Sequence, residues 1–456
     1  MMATMSQCMS SREDAIALFE QHATAAPALC LLKAGATLCD QHVFEWVDAL
    51  RHRLLLDIQL KARIYVPQGV CLVGVLDETH TLEAGTVFFQ TRSSDYVLPP
   101  FGASVVVGRS PVLHPGDVRV LRRVDLEPLR HLYDVVVFSS KGARPDPNMM
   151  AGGDLDGDIY FCIWDPSLVP KEEFSPMDYT PPTARSLPTD AAHHPHAMGD
   201  FFVEFMKNDN LGQIANAHVV FADLNILGPK STECLKLAAL HSTAVDFAKT
   251  GVPAVMQPGL IVPKYPDFME NTTKPSYVST KILGQLYRRA KAAPWGDACL
   301  VESKQLFHDV RLLRPGYQAF LAEADWHCYH YSMELWALAC FYNVEQEIEL
   351  VSGYIRKLSR QVCRQRGQRM AQDVSERLER AVRAIQSKYQ DIFWAEFQED
   401  RDDDRVLQKA AAWYYTAYTY LWDTGDAPYL SFGWLALEPM CRLLEMVNKK
   451  DVAEEP

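Results

Sequence analysis

The sequence of 456 residues contains no apolar run that approaches the ~20 residues needed to cross a bilayer. Its first residues, MMATMSQCMSSRED, contain no hydrophobic secretory segment. No CxxC pair occurs among the 11 cysteines, which argues against a disulfide framework or a zinc site. Acidic residues outnumber basic ones, 58 to 45, which excludes a uniformly basic nucleic-acid coat. We therefore expect a nuclear or cytoplasmic protein, neither secreted nor membrane-bound, that meets any polyanion through local patches or bound cations.

The overall composition, with 48% hydrophobic and 23% charged residues, is typical of a globular protein. At about 150 residues per domain, the length suggests about two to four domains. Helical apolar spacing dominates up to Lys61 and again from about Tyr329 onward. Five short runs between them are apolar throughout, as is typical of strands buried on both faces. These predicted strands are residues 70–76, 86–91, 104–108, 134–140 and 158–164.

These patterns divide the chain into five predicted parts, and the predicted fold class is α+β. The helix that begins at Glu233 is expected to end at Gly251, because Pro253 lies just beyond. The five parts are a helical N-terminal segment (1–60), a β-barrel (61–165), a proline-rich linker (166–199), a mixed, mainly helical part (200–300) and a helical C-terminal domain (301–456).

The most informative segment is GGDLDGD, at residues 152–158 between two apolar runs. Three carboxylates within five residues repel one another and are costly to gather without a cation. Gly157 and the preceding glycine pair permit a sharp bend that brings the oxygens together. Such a cluster suits Mg²⁺, which binds a few carboxylates and keeps positions for substrate phosphates. The alternatives are a solvated acidic turn and an EF-hand calcium loop, although strands rather than helices flank this one.

The residues around the aspartates resemble a known family. AGGDLDGDIYFCIWDPSLVP is similar to the catalytic signature of the cell-encoded RNA-dependent RNA polymerases of eukaryotic RNA silencing. Further segments resemble that family in order and spacing, and the likeness covers roughly residues 61–439. They are GVLDETHTLEAGTVFFQ, VVVGRSPVLHPGDVRVLRRV, VVVFSSKGARPDPN, NDNLGQIANAHVVFAD followed by LHSTAVDFAKTGVPA and YPDFME, and the later segments KILGQLYRR, AAAWYYTAYTY and YLSFGWLALEP.

The resemblance implies a double-psi β-barrel catalytic core flanked by helices, the second of two such barrels in the family. It implies that Asp154, Asp156 and Asp158 are the catalytic residues and bind Mg²⁺, with Mn²⁺ as an alternative. Arg109, in GRSPVLHPGD, is expected to contact the incoming nucleotide, because an arginine fork donates to hydroxyl and phosphate oxygens. An ion pair between Arg109 and Asp117, or another neighbouring carboxylate, is the alternative.

Several other residues are weaker candidates. Lys141 and Arg144 precede the aspartate loop and are expected to face triphosphate or template, with simple surface exposure as the alternative. Lys249 is expected to contact RNA or phosphate, with a local ion pair to Asp246 as the alternative. His114 is expected to fix a turn rather than to act in catalysis. A basic run is either a stripe that follows RNA or a solvated helix face, and it comprises Arg356, Lys357, Arg360, Arg364, Arg366 and Arg369.

The predicted function is that of an RNA-directed RNA polymerase fragment. It would make double-stranded RNA from a single-stranded RNA template and ribonucleoside triphosphates by two-metal nucleotidyl transfer, in RNA silencing and siRNA production. Family analogy adds Dicer- and Argonaute-type proteins as pathway partners. The family's upstream barrel is expected to be missing, because residues 11–61 are too few to supply it. The alternatives are a catalytically incomplete RNA-binding or scaffold remnant and, less favoured, a metal-dependent phosphohydrolase.

Overall fold

The computed structural model describes residues 7–23, 25–93, 96–184, 195–293, 309–355, 368–398, 401–419 and 429–454. The chain divides into two compact units. The barrel unit is Ile64–Gln285, and the helical unit combines Met1–Arg63 with Leu286–Pro456. A closed six-stranded barrel together with many helices confirms the predicted α+β class. Among the described residues, no helix is both long enough and apolar enough to cross a membrane.

Secondary-structure elements are numbered along the chain. The strands are β1 (Gly69–Leu76), β2 (Thr86–Gln90), β3 (Ser104–Arg109), β4 (Val118–Arg123), β5 (Val135–Phe138), β6 (Ile159–Ile163), β7 (Tyr265–Pro266) and β8 (Ser276–Tyr277). The α-helices are α1 (Arg12–His22), α2 (Pro27–Ala34), α3 (Gln41–Lys61), α4 (Asp146–Met149), α5 (Pro195–Lys207), α6 (Leu211–Leu224), α7 (Thr232–Val245), α8 (Phe247–Thr250), α9 (Ile282–Ala292), α10 (Leu321–Tyr342), α11 (Glu347–Ser352), α12 (Gln368–Trp394), α13 (Asp404–Thr419) and α14 (Leu437–Glu454).

The barrel closes in the strand order β1-β5-β2-β4-β3-β6. The pairs β1–β5 and β2–β4 are parallel, and the other neighbours are antiparallel. Strand β6 lies between β1 and β3, with Tyr160 opposite Leu72 on one side and opposite Arg109 on the other. Because β6 begins directly after the aspartates, this register places their loop beside the end of β3.

Strands β2 and β5 are buried on both faces, as their continuous apolar runs predict. Phe89 and Val136 belong to the core inside the barrel. Phe88 and Val137, their neighbours in sequence, pack outside the barrel against Leu82. Side chains of a strand alternate between its faces, so a strand covered on both sides needs apolar residues at every position. The five predicted strands correspond to β1, β2, β3, β5 and β6.

Strand β4 (VRVLRR) is absent from the predicted strands because its arginines mask the apolar pattern. Arg123 is nevertheless buried. Its Nε and Nη2 donate to the carbonyl oxygen of Phe89 at 3.2 and 3.0 Å, and its Nη1 donates to the carbonyl oxygen of Pro99. The guanidinium also lies 4.5 Å from the ring centre of Phe101. Burial lowers the pKa of Arg123. These contacts make the arginine a structural part of the barrel.

The helix predicted over residues 233–251 is divided in two, which corrects that prediction. Ser231 caps the start of α7 by accepting a hydrogen bond from the Cys234 backbone at 3.3 Å. The helix is interrupted at Asp246, where φ is −83° and ψ is 1°. Helix α8 then ends at Gly251, whose φ of +70° is the left-handed conformation expected of a terminal glycine. The predicted end is therefore confirmed, but the predicted continuity is wrong.

The N-terminal helices belong to the same unit as the C-terminal helices. The side-chain amide of Asn448, on α14, donates to the carbonyl oxygen of Ala34 at the end of α2, at 2.8 Å. Asp40 caps α3 by accepting from the Val43 backbone at 3.0 Å, and it also accepts from the Tyr418 hydroxyl at 2.8 Å. The boundaries of the five predicted parts are finer than this two-unit division and stay a prediction.

Candidate metal centre

The structure brings the three predicted metal ligands together. Although residues 154, 156 and 158 would spread over ~13 Å on a straight strand, one carboxylate oxygen from each lies within 4.8 Å of the others. Asp154 and Asp156 are exposed, and Asp158 is half-buried. Two like charges ~4 Å apart repel by about 1 kcal/mol in water and about 4 kcal/mol near a protein surface. A cluster of oxygen donors that is both accessible and electrostatically costly can hold a hard divalent cation.

Backbone geometry explains why the aspartates converge. Positive φ angles occur at Ala151 (52°), Gly152 (68°), Leu155 (63°) and Gly157 (116°), so the chain turns sharply before and within the cluster. Glycine adopts this conformation readily, whereas alanine and leucine do so at a cost of about 1 kcal/mol or more. Two such residues in one loop indicate that surrounding contacts hold its shape.

Two glycines make room for the side chain that lies under the loop. A Cβ atom at Gly153 would collide with the Tyr160 hydroxyl, and one at Gly74 would collide with the Tyr160 ring. Tyr160 itself is fully buried. Burial and the nearby Asp158 carboxylate raise the pKa of Tyr160, so its phenol stays protonated and can donate a hydrogen bond. The loop therefore rests on a buried tyrosine, which the sequence did not identify as part of the site.

Asp158 is the most constrained of the three carboxylates. Its Oδ1 accepts from Arg109 Nε at 2.6 Å, and its side chain is only 8% exposed. Its Oδ2 accepts from the backbone N–H of Asp154 at 3.1 Å and from the Tyr160 hydroxyl at 3.5 Å. Since a carboxylate offers about four lone-pair positions, these three donors leave room for a metal bond. The alternative predicted for Arg109, an ion pair with a neighbouring carboxylate, is present, and the carboxylate is a candidate metal ligand.

Arg109 also faces open space. A cavity of about 320 Å³ lies beside the loop, and its lining includes Arg109, Asp158, Cys71, Ser110 and Phe161. Cys71, Arg109 and Phe161 belong to β1, β3 and β6, Ser110 directly follows β3, and Asp158 directly precedes β6. The cavity therefore gives a polar ligand access to the guanidinium and to the carboxylate at the same time.

The predicted turn-fixing role of His114 matches its contacts. Its Nδ1 accepts a hydrogen bond from the Gly116 backbone at 3.0 Å. Asp117, which is almost completely buried, accepts at Oδ2 from the backbone N–H groups of Leu113 and His114 at 3.2 and 2.9 Å. The Arg109–Asp117 pair considered from the sequence is therefore replaced by Asp117 contacts that hold the loop after β3.

The other basic candidates have partners outside the aspartate cluster. Lys141 forms an exposed ion pair with Glu83 at 2.5 Å. Arg144 donates to the Asn148 side chain at 2.8 Å and to the carbonyl oxygen of Met177 at 2.8 Å. Lys249 is exposed on α8, and its backbone donates to the carbonyl oxygen of Asp246 at 3.0 Å. These contacts give Arg144 a structural role and leave the ammonium groups of Lys141 and Lys249 at the surface.

The structure describes most side chains of an aromatic segment near the C-terminus but not those of the basic run. The basic run from Arg356 to Arg369 lies outside the residues whose side chains are described. Trp413 and Tyr414, in the aromatic segment AAAWYYTAYTY, are fully buried in the core of the helical unit. Their burial shows that these two aromatic side chains pack in the core.

Two family models match the chain. The model described as RNA dependent RNA polymerase matches residues 1–290. A second, described as RdRP, head domain, matches residues 307–456. The first match alone covers more than half of the 456 residues. It includes the barrel, the aspartate loop and Arg109.

Three relatives illustrate the range of similarity. The probable RNA-dependent RNA polymerase SHL2 of Oryza sativa subsp. japonica is 38% identical over 91% of this chain and 37% of its own length. RNA-dependent RNA polymerase 1 of Arabidopsis thaliana is 39% identical over 85% of this chain and 35% of its own length. RNA-dependent RNA polymerase 1 of Schizosaccharomyces pombe is 34% identical over 68% and 27%. The chain thus spans little more than a third of the first two relatives.

A solved structure, the RNA dependent RNA polymerase QDE-1 from Thielavia terrestris, matches with a TM-score of 0.47 and 17% identity, over 100% of this chain and 53% of that one. The assignment depends instead on the family models and on the sequence relatives. The chain belongs to the family of eukaryotic cell-encoded RNA-dependent RNA polymerases of the RNA-silencing type.

Proposed function

We propose that this chain carries the metal-binding part of an RNA-dependent RNA polymerase that copies single-stranded RNA into double-stranded RNA. The observation that carries the proposal is the convergence of three carboxylate oxygens within 4.8 Å on a loop of the barrel, with Arg109 in contact with one of them. Membership of the family supplies the reaction class, and the loop supplies ligands of the kind that this reaction needs.

Within the proposed site the three aspartates have different roles. Asp154 and Asp156 present exposed oxygens, so they can exchange water for a cation without a change of fold. Asp158 is already oriented by Arg109 and by Tyr160. Divalent ions bound there, Mg²⁺ or Mn²⁺, would supply charge neutralisation for a triphosphate and a lowered pKa for an attacking hydroxyl. Carboxylate oxygens suit both ions, and we favour Mg²⁺ because such sites leave positions for phosphate oxygens.

Arg109 is proposed to orient the nucleotide. A guanidinium has five N–H donors, of which Nε binds Asp158 and one on Nη1 binds the carbonyl oxygen of Ala151 at 3.0 Å. The remaining donors belong to a side chain that is 29% exposed and lines the cavity. Hydroxyl or phosphate oxygens of a ribonucleoside triphosphate are suitable acceptors.

The wider architecture is proposed on the same basis. Two parallel strand pairs in a closed six-stranded barrel support a double-psi arrangement, since each parallel pair needs a crossover. Lys141 and Lys249 have exposed ammonium groups and are proposed contacts for phosphate or RNA, whereas the partners of Arg144 favour a supporting role. Single-stranded RNA, ribonucleoside triphosphates and proteins of the Dicer and Argonaute type complete the proposed set of partners.

The test is template-dependent synthesis by the protein as expressed from its gene. Labelled ribonucleotides are supplied with single-stranded RNA and Mg²⁺, and double-stranded product is measured for wild type, Asp156→Ala and Asp165→Ala. We expect Asp156→Ala to lose at least about a hundredfold in incorporation, as a lost metal ligand should. Asp165 follows β6, outside the cluster, and its replacement removes the same charge, so that variant should retain activity.

Each other outcome contradicts the proposal in a distinct way. Equal incorporation by wild type and Asp156→Ala would show that the aspartate cluster takes no part in nucleotide incorporation. Release of inorganic phosphate without polymer would identify a phosphohydrolase. RNA binding by a wild-type protein that incorporates no nucleotide would identify a scaffold.

A further inference from the structure

We propose that Asp117 and Tyr179 are positioning residues that hold the metal loop in its binding conformation. This inference rests on the proposed metal site and adds a second layer of residues behind it. Neither residue belongs to the aspartate cluster. The juxtaposition that carries the inference is a continuous series of contacts from Tyr179 through Asp117, Ala151 and Arg109 to Asp158.

Asp117 joins three separate segments of the chain. Its Oδ2 holds the loop after β3 through the backbone N–H groups of Leu113 and His114. Its Oδ1 accepts from the backbone N–H of Ala151 at 3.3 Å and from the Tyr179 hydroxyl. The residue is only 1% exposed. A buried carboxylate with four donors from three segments fixes their relative positions, because loss of any donor leaves a buried charge less compensated.

Ala151 is the link between Asp117 and the metal ligands. Its N–H donates to Asp117, and its carbonyl oxygen accepts from Arg109 Nη1 at 3.0 Å. Arg109 in turn holds Asp158 through Nε at 2.6 Å. The φ of Ala151 is +52°, a conformation that alanine adopts only when its surroundings enforce it. The two hydrogen bonds on its peptide groups are the contacts that enforce it.

Tyr179 belongs to a strap, which we define as residues 174–179, that lies against the barrel. Arg119 Nη1 donates to the carbonyl oxygen of Phe174 at 3.2 Å, and Arg144 Nη2 donates to that of Met177 at 2.8 Å. The Tyr179 ring lies 3.3 Å from the position that a Cβ atom on Gly152 would occupy, so it packs directly on the turn before the aspartates. This part of the predicted linker is therefore fastened to the loop that carries the metal ligands.

Tyr179 donates its hydrogen bond as a neutral phenol. Burial and the hydrogen bond to Asp117 raise the pKa of Tyr179, so the hydroxyl keeps its proton at neutral pH. Tyr179→Phe therefore removes one donor from Asp117 while it preserves the ring that covers Gly152. The substitution tests the hydrogen bond rather than the packing.

The experiment measures Mn²⁺ affinity of the 456-residue chain by the loss of the free Mn²⁺ electron paramagnetic resonance signal. Wild type, Tyr179→Phe, Asp117→Asn, Tyr277→Phe and Asp156→Ala are titrated, and thermal unfolding is followed in parallel. Tyr277 is the matched control, since it is also half-buried in the barrel unit and donates its hydroxyl to a carboxylate, Asp223, at 2.8 Å. Replacement of a residue that orients a metal ligand typically weakens binding about 10-fold or more.

We expect Tyr179→Phe to raise the Kd for Mn²⁺ by about 10-fold, and Tyr277→Phe to leave it unchanged even if both variants unfold at the same lowered temperature. Asp117→Asn, which places an amide donor against other donors, is expected to weaken binding further. Equal Mn²⁺ affinity in wild type and Tyr179→Phe, with binding still abolished in Asp156→Ala, would overturn the positioning role alone. Equal binding in wild type and Asp156→Ala would overturn the metal site and the inference with it.

Discussion

The helical unit contains a buried, hydrogen-bonded carboxylate, whereas the barrel unit contains exposed carboxylates that cluster together. In the helical unit Asp40 is buried, and its oxygens accept from the Val43 backbone at 3.0 Å and from the Tyr418 hydroxyl at 2.8 Å. In the barrel unit Asp154 and Asp156 are exposed and share a cluster with a third carboxylate. The first arrangement surrounds a carboxylate with hydrogen-bond donors, whereas the second gathers like charges whose mutual repulsion a bound cation would relieve. The surroundings of an aspartate, and not its identity, thus separate a structural role from a functional one.

Replacement of the buried carboxylate Asp40 should cost the most stability. Asp40→Ala removes the cap of α3 and leaves the buried Tyr418 hydroxyl without this acceptor. We expect a loss of about 3 kcal/mol in the free energy of unfolding, from the lost cap and the unsatisfied group together. Urea unfolding followed by circular dichroism measures the change. Asp156→Ala, measured in a chelator, is the control, and an equal loss there would erase the distinction between the two carboxylates.

Addition of a divalent cation should increase the stability of the folded state, by somewhat less than Asp40→Ala decreases it. At a hundred times Kd, a ligand that binds only the folded state stabilises it by about 2.7 kcal/mol. Thermal unfolding of wild type should therefore shift upward with Mn²⁺ or Mg²⁺ and return with chelator. Asp156→Ala should show no such shift, and Asp40→Asn should show the full shift from its own lower starting point. A wild-type transition that ignores both ions would contradict the role assigned to the cluster.

A pH dependence of the free energy of unfolding is expected from Asp40 and Glu347. Burial raises the pKa of Asp40 to about 7, against hydrogen bonds that lower it, and burial likewise raises the pKa of Glu347 to about 7. Since the folded state then holds more protons than the unfolded state, these groups contribute less stability as pH rises from about 4 to about 7. Asp40→Asn cannot titrate at this position. The stability of Asp40→Asn relative to wild type should therefore increase across that window, and a constant difference would contradict the raised pKa.

Much of the barrel could be predicted from the sequence because burial on both faces leaves a direct pattern. The apolar runs of β2 and β5 are continuous because each strand packs against one core on each face. In β2, Phe89 packs in the core inside the barrel and Phe88 packs in the cluster outside it. Strand β4 could not be found in this way, since Arg123 is buried through carbonyl and ring contacts that come from distant segments. A periodicity argument counts that residue as polar although it is 5% exposed.

In the candidate site too, local features could be predicted from the sequence, whereas contacts between residues far apart in the chain were harder to predict. The cluster at residues 154–158 is local, so spacing and glycine content favoured convergence of its carboxylates, although they left a solvated acidic turn and a calcium loop as alternatives. The contact between Arg109 and Asp158 joins residues 49 apart, and the contact between Tyr179 and Asp117 joins residues 62 apart. An ion pair between Arg109 and a neighbouring carboxylate was among the alternatives that the sequence suggested. The contact between Tyr179 and Asp117 had only a weak signal, an aspartate that follows Pro-Gly, because the strap that supplies Tyr179 reads as a proline-rich linker.

We propose that Asp154, Asp156 and Asp158 jointly hold divalent cations. Crystals of this chain grown with Mn²⁺ give the most direct test, because anomalous scattering locates the ion without reference to activity. We expect an anomalous peak within about 2.5 Å of oxygens from all three aspartates. Well-ordered carboxylates without such a peak, at Mn²⁺ concentrations that saturate the binding measured in solution, would contradict it.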